Sequence, residues 1–148
     1  MLVMLGLWGC ASQKKIVDAD NVIEREGIYY VEGESDPFSG EAVTYYDNGQ
    51  LKSRVGFLNG KEHGKAILWY KNGQKESEMA FHNGKPHGKI VSWYGTGQKH
   101  TEGEYKYGEP IGINTYWYEN GQKMQEIPSQ SSGSYKIKRW DENGDLIQ

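Results

Sequence analysis

Residues 64–85 have the sequence GKAILWYKNGQKESEMAFHNGK, and the pattern in this segment recurs along the chain. Its glycines recur along the chain at steps of 24 residues. One series is Gly40, Gly64, Gly88 and Gly112, a second is Gly49, Gly73, Gly97 and Gly121, and a third is Gly60, Gly84 and Gly108. A fixed period of this length is typical of stacked supersecondary units. The sequence therefore predicts a repeat protein before it predicts any site.

Each unit holds two short runs of alternating apolar residues on either side of a turn, which is the pattern of a β-hairpin. The turn reads Tyr-Lys-Asn-Gly at 70–73 and Tyr-Gly-Thr-Gly at 94–97. A two-residue type I′ turn would require a positive φ at Thr96, which a β-branched residue resists. A three-residue loop with a G1 bulge requires it only at the turn glycines. Thr96 favours this loop, with positive φ at Gly49, Gly73, Gly97 and Gly121.

The loop type decides which residues share a face of the sheet. With the bulge, Ile67 and Trp69 are expected beside Ser77, Met79 and Phe81. With a type I′ turn they would lie beside Glu76, Glu78 and His82. The bulge therefore predicts one apolar and aromatic face, which is the structural core, and one face of tyrosines and charges. The predicted core residues are Trp69, Trp93, Trp117, Phe57, Phe81 and Met79.

Turn-like segments also join the units, at 59–64, 83–88 and 107–112. In the second and third of these segments, Pro86 and Pro110 are able to pre-set φ. Hairpin follows hairpin with no helical interval. The predicted fold is all-β, an elongated and twisted antiparallel β-meander of about ten strands, built from 24-residue hairpin units.

The motif Trp69-Tyr70-Lys71-Asn72-Gly73-Gln74-Lys75, followed by Asn83-Gly84-Lys85-Pro86-His87-Gly88, resembles the MORN-repeat variant of bacterial YwqK-like proteins. The resemblance covers roughly residues 37–127. It implies a MORN-like repeat domain, and MORN repeats are generally regarded as interaction or membrane-association modules. It also implies an antitoxin-like role as an alternative, since such proteins often carry that label.

The N-terminus resembles a bacterial lipoprotein signal. Residues 1–9 are apolar, too few to span a bilayer, and Leu7-Trp8-Gly9-Cys10 is similar to a lipobox. Trp8 and the lack of a preceding Lys or Arg depart from that pattern. Either the true start codon lies upstream or the signal is imperfect. We expect lipidation of Cys10, the one cysteine of the chain, which would anchor the protein stably in a membrane.

The predicted organisation has three parts. Residues 1–9 form a signal-peptide-like segment, residues 10–26 a lipid anchor and tether, and residues 27–148 the repeat domain. Residues 22–26 are either the end of the tether or a first edge strand. Within that domain we expect full units at about 40–63, 64–87 and 88–111. The units at 112–134 and 135–148 are degenerate, because Pro128 and a serine-rich run interrupt the pattern.

Composition excludes several classes of function. A net charge of -3 and a pI near 5.8 give no reason to expect a nucleic-acid partner.

His63 and His87 occupy equivalent positions about 10 Å apart, too far to share a zinc ion. The segment 141–145 begins like a calcium loop but lacks the distal glutamate and aligns with an ordinary hairpin turn. No metal site and no cofactor are predicted.

The remaining binding candidates are the turn tyrosines Tyr46, Tyr70, Tyr94 and Tyr118. Their rings either bind a partner or pack across their own hairpins. The chain shows no nucleophile with an activating neighbour, so we expect no catalysis. The predicted function is a non-enzymatic interaction module on the bacterial cell envelope, binding a protein or an envelope polymer. The alternatives are a cytoplasmic antitoxin-like protein and an enzyme that acts on envelope polymers.

Overall fold

The computed structural model describes residues 14–130, 133 and 136–147, and almost every element in them is a β-strand. The strands are β1 (Ile16–Asp18), β2 (Val22–Arg25), β3 (Ile28–Val31), β4 (Gly40–Tyr45), β5 (Leu51–Leu58), β6 (Lys61–Trp69), β7 (Lys75–His82), β8 (Lys85–Trp93), β9 (Lys99–Lys106), β10 (Glu109–Trp117), β11 (Lys123–Pro128) and β12 (Lys138–Arg139). A single turn of 3-10 helix, Ala19–Asn21, joins β1 to β2.

Ten of the strands form one sheet in the order β1-β4-β5-β6-β7-β8-β9-β10-β11-β12. From β4 onward each strand pairs antiparallel with the next, so the predicted meander of hairpin units is confirmed. Strands β2 and β3 make a separate hairpin. Among the described residues there is no helix with the length and apolar character needed to cross a membrane.

Part of the segment predicted as a tether is ordered structure. Residues 16–25 form β1, the 3-10 turn and β2. Strand β1 pairs in parallel with β4, and the Asp18 side chain accepts a hydrogen bond from the Asp20 N–H, which caps the turn. A strand of three residues is held by backbone bonds to its neighbour, so its side chains need show no alternation. Strand β1 therefore leaves no alternating pattern from which it could be predicted.

The predicted loop inside each unit is confirmed. Gly73 has a φ of 84°, its N–H donates to the Tyr70 carbonyl, and Thr96 in the third unit does not adopt a positive φ. The predicted faces are wrong, because a second irregularity follows the loop. Trp69 pairs with Lys75 and Leu68 pairs with Ser77, so Glu76 is an extra residue in its strand. The same inserted position is Lys52, His100 and Met124 in the other units.

The inserted residue reverses the expected faces beyond it. Ile67 pairs with Glu78, and Ala66 pairs with Met79. The tryptophans therefore lie on the face that carries Lys75 and Glu78, and not on the face of Met79 and Phe81. This is the grouping that we expected only from a type I′ turn.

The turns between units are tighter than the sequence indicated. Asn59 and Gly60 both have positive φ, as have Asn83 and Gly84, which makes each a two-residue type I′ turn. Pro86 lies inside strand β8 and does not set the φ of a turn. Each turn is tied to the preceding unit, since the N–H of Gly84 donates to the Glu62 carbonyl at 2.8 Å.

Among the described residues, the most buried apolar side chains lie at the N-terminal end of the sheet. Phe38, Ala42, Val43 and Ala66 are at most 5% exposed. The β2–β3 hairpin packs here, with the Tyr29 and Phe57 rings 5.1 Å apart. The residues predicted as core, namely Trp69, Trp93, Trp117, Phe57, Phe81 and Met79, are all partly buried. Both faces of most of the sheet are therefore half-exposed, as expected for a single layer.

Candidate interaction surface

The turn tyrosines join one unit to the next. Each phenol donates a hydrogen bond to the backbone carbonyl of the tryptophan in the following unit. The bonds run from Tyr46 to Trp69 (2.6 Å), Tyr70 to Trp93 (2.8 Å), Tyr94 to Trp117 (2.8 Å) and Tyr118 to Trp140 (3.0 Å). Burial is the main cause that raises the pKa of Tyr70 and Tyr94, so these phenols stay protonated donors. A binding role for the tyrosines stays a prediction, but their polar tips are used within the sheet.

The rest of each turn stacks on the next turn as well. The Asn72 amide donates to the Gly95 carbonyl at 2.8 Å, and its oxygen accepts from the Gln74 N–H at 3.0 Å. The Gln74 side chain lies against Gly97, where a Cβ would come within 3.1 Å of its Oε1. The recurring Tyr-x-Asn-Gly-Gln motif is thus explained by contacts between units.

Removing one of these phenol hydroxyls should weaken the sheet. For Tyr94→Phe we expect a loss of about 1 kcal/mol in the free energy of unfolding, because the half-buried Trp117 carbonyl loses its donor. Urea unfolding followed by tryptophan fluorescence measures this loss. The control is Tyr45→Phe, because Tyr45 is 54% exposed. Equal losses in both variants would contradict a structural role for the Tyr94 hydroxyl.

The tryptophans form a row with lysines on one face of the sheet, and we call this surface the ladder face. Lys75 lies over the Trp93 ring with its Nζ 5.9 Å from the centroid, Lys99 over Trp117 at 5.1 Å, and Lys123 over Trp140 at 5.7 Å. Cation–π attraction of this kind stabilises exposed pairs by about 0.5–1 kcal/mol. Each unit thus places one indole and one ammonium at the same point of the face.

A parallel row of ion-paired clusters crosses the ladder face. Three of them have a glutamate between two lysines: Glu78 with Lys65 (2.6 Å) and Lys75 (2.5 Å), Glu102 with Lys89 (2.9 Å) and Lys99 (2.5 Å), and Glu126 with Lys123 (2.5 Å) and Lys138 (3.6 Å). In the first unit Glu41 lies between Lys14 (2.7 Å) and Arg54 (3.5 Å). Every cluster therefore combines two cations with one carboxylate.

Because of these clusters, the free energy of unfolding should fall as the pH becomes acidic. Hydrogen bonds from their lysines lower the pKa of Glu78, Glu102 and Glu126 below the ordinary value of 4.5. A lowered pKa in the folded state means that the stabilisation is present above pH 4.5 and is lost as the pH falls further. The lysines are exposed, so each cluster contributes only about 0.5–1 kcal/mol.

We therefore expect the triple variant E78Q/E102Q/E126Q to be less stable than the parent at pH 7 and to lose less stability on acidification. Urea unfolding from pH 7 to pH 3 measures both effects. The control is Glu109→Gln, because the Glu109 carboxylate has no ion-pair partner among the described residues. A triple variant with the parent's pH profile would contradict the prediction.

Three of the four histidines, His63, His82 and His87, approach one another on the sheet. The rings of His63 and His82 are 5.0 Å apart and those of His82 and His87 are 5.7 Å apart, with Tyr107 4.6 Å from His87. In the part of the chain that the structure describes, no group of three or more His, Cys, Asp and Glu residues is placed to hold a metal ion. The segment 141–145 is a turn, in which the Asp141 carboxylate accepts backbone N–H groups of Asn143 and Asp145.

Fold and surface together define a single-layer repeat protein with two strands per unit. Three segments, residues 38–59, 62–83 and 110–130, match the MORN repeat variant model. Residues 84–109 lie between the last two matches and form the same kind of hairpin, β8 and β9. Searches of curated proteins and of solved structures gave no match. MORN repeats are in general interaction modules.

Sequence reasoning missed the ladder face, although its signal was present. Lys75, Lys99 and Lys123 recur at steps of 24 residues, and so do Glu78, Glu102 and Glu126. In a regular strand residues three apart lie on opposite faces, so this spacing indicates an ion pair only when an inserted residue such as Glu76 brings both side chains to one face. The prediction placed Glu78 and Glu102 on the face away from the tryptophans, and so separated two parts of the same surface. Cys10, the predicted lipidation site, lies outside the described residues.

Proposed function

We propose that the chain is a non-enzymatic interaction module, which presents the ladder face to a partner on the bacterial cell envelope. The observation that supports this most is the repetition of the same indole, ammonium and carboxylate in successive units. A catalytic site needs one asymmetric constellation, whereas a row of equivalent groups suits an extended partner. The cluster glutamates are ion-paired with a lowered pKa, which is unlike a general acid.

Site-specific photo-crosslinking in cells tests the binding surface without knowledge of the partner. One crosslinking residue replaces Gln74, which lines an open hollow beside Trp93. The control position is Ser77, which pairs with Leu68 and Ser92 on the opposite face. We expect a crosslinked product from position 74 that disappears in the Trp93→Ala background. A product from position 77 alone would overturn the assignment of the face.

We further propose that Cys10 is lipidated and anchors the module in the membrane. The support is the apolar segment at residues 1–9, the lipobox-like Leu7-Trp8-Gly9-Cys10, and the polar run that follows. Intact mass and membrane partitioning of the native protein and a Cys10→Ser variant test it. Loss of residues 1–9 with gain of acyl chains, abolished by the substitution, is expected. An unmodified chain in the soluble fraction would instead favour the cytoplasmic antitoxin-like alternative.

A further inference from the structure

We propose that the ladder face binds an extended, β-linked acidic polysaccharide. Sugar rings would lie beside the tryptophans, and the acidic groups would meet the lysines of the ion-paired clusters. This inference rests on the proposed function, because it names the class of partner for the same face.

The charge of the ladder face is opposite to that of the whole protein. The chain has a net charge of -3, yet each of the four clusters has two cations around one carboxylate. The lysine side chains of these clusters are 38% to 70% exposed, and the glutamates only 15% to 29%. A ligand therefore meets ammonium groups first. One incoming acidic group would bring a cluster to neutrality and form charge-assisted hydrogen bonds.

The aromatic groups of the ladder face suit sugar rings. An open hollow of about 360 Å³ is lined by Gln74, Lys75, Trp93 and Gly97, which places an indole beside an amide and an ammonium. A second hollow of about 330 Å³ lies next to the cluster of Lys89 and Glu102. Indole surfaces accept the C–H groups of a sugar, while amides and charged groups bond its hydroxyls.

The spacing of the units favours a regular, extended polymer over a compact ligand. Equivalent indoles and equivalent clusters are two strands apart, which is about 10 Å. This is close to the length of one disaccharide in an extended β-linked chain. A polysaccharide with one acidic group per disaccharide would therefore place one ring and one charge in each unit. Binding to several units in succession raises affinity through effective concentration.

Glu104 offers a direct test of the charge argument. It pairs with Lys89 across β8 and β9 on the ladder face, so it offsets the positive charge of the third unit. Its repeat equivalents are Ala80 and Pro128, which carry no charge. For an acidic ligand, Glu104→Gln should therefore strengthen binding, whereas loss of a cluster lysine should weaken it.

The experiment measures the affinity of the full chain for hyaluronan fragments, by quenching of tryptophan fluorescence. Chitin fragments of equal length are the neutral comparison. Going from about four to about eight sugars should raise affinity about tenfold, since more units are engaged. The variants Trp117→Ala and Lys99→Gln should each weaken binding about tenfold. Glu104→Gln should strengthen it about twofold. Circular dichroism checks that each variant is folded, and Lys99→Gln still tests the site if Trp117→Ala unfolds.

The control is Tyr107→Asn, which removes an exposed aromatic in the turn between β9 and β10 that belongs to neither the tryptophan row nor the ion-paired clusters, and supplies the residue found at Asn83. It should leave binding unchanged. Equal affinity for hyaluronan and chitin fragments, or losses of equal size in Tyr107→Asn and Lys99→Gln, would overturn the acidic polysaccharide. So would preferential binding to vesicles of phosphatidylcholine and phosphatidylglycerol, which would indicate a lipid surface.

Failure of this inference is distinguishable from failure of the proposed function. If no glycan binds but position 74 still crosslinks to a protein, the ligand class is wrong and the ladder face remains a binding surface. If position 74 gives no product that depends on Trp93, the proposed function fails too.

Discussion

Replacing Phe38 by alanine is expected to lower the free energy of unfolding by about 3–5 kcal/mol, the range for a buried phenylalanine. Phe38 is 2% exposed, and its ring lies 5.4 Å from that of Phe57. Its backbone N–H and carbonyl bond to Tyr29 and Gly60, which connects the β2–β3 hairpin to the sheet. Alanine keeps these backbone bonds but leaves a cavity where the hairpin packs. Urea unfolding monitored by far-ultraviolet circular dichroism measures the loss.

The comparison variant is Phe81→Ala. Phe81 occupies the repeat position of Phe57, 24 residues later, but is only partly buried. We expect a loss of about 1–2 kcal/mol there, because less apolar surface leaves contact with protein. Hydrogen exchange should show the Phe38→Ala effect first in β2 and β3. Similar losses in the two variants would mean that the N-terminal packing is no more stabilising than an inner unit.

Much of the architecture followed from the period alone. The glycine series predicted hairpin units, and Thr96 correctly selected the loop in which only the glycine has positive φ. These features are local, because a turn is specified by the few residues that form it. The N-terminal part was less visible, since β1 is short and pairs with β4 across more than twenty residues of chain.

Which residues lie on which face of the sheet could not be predicted from local sequence in the same way. An inserted residue such as Glu76 leaves the alternation on both sides of it intact, so Ser77 to Phe81 look alike in either register. In a sheet with a buried face, hydrophobicity would have decided between them. Here apolar residues occur on both faces, with Met79 on one and Ile67 on the other, because a single layer buries neither completely. The ladder face therefore emerged only from the observed pairing.

Gly60 and Gly84 occupy the same repeat position, so the effects of alanine at the two sites on the free energy of unfolding can be compared directly. Both have positive φ, 72° and 76°, and both donate their N–H to a carbonyl of the preceding segment at 2.8 Å. Their surroundings differ. A Cβ on Gly60 would overlap Cγ2 of Ile28 and come within 3.0 Å of the Tyr29 carbonyl oxygen, whereas one on Gly84 would meet no atom within 4 Å.

We expect Gly84→Ala to cost about 1–2 kcal/mol, the strain of alanine in the left-handed region. Gly60→Ala should carry the same strain and about 1–3 kcal/mol more, because the β2–β3 hairpin must move to admit the methyl group. The difference between the two variants in urea unfolding isolates the packing of that hairpin, since the backbone effect cancels. Equal losses would mean that the hairpin is displaced at little cost. In that case the N-terminal end of the sheet would be no better packed than its inner units, which would also contradict the expectation for Phe38.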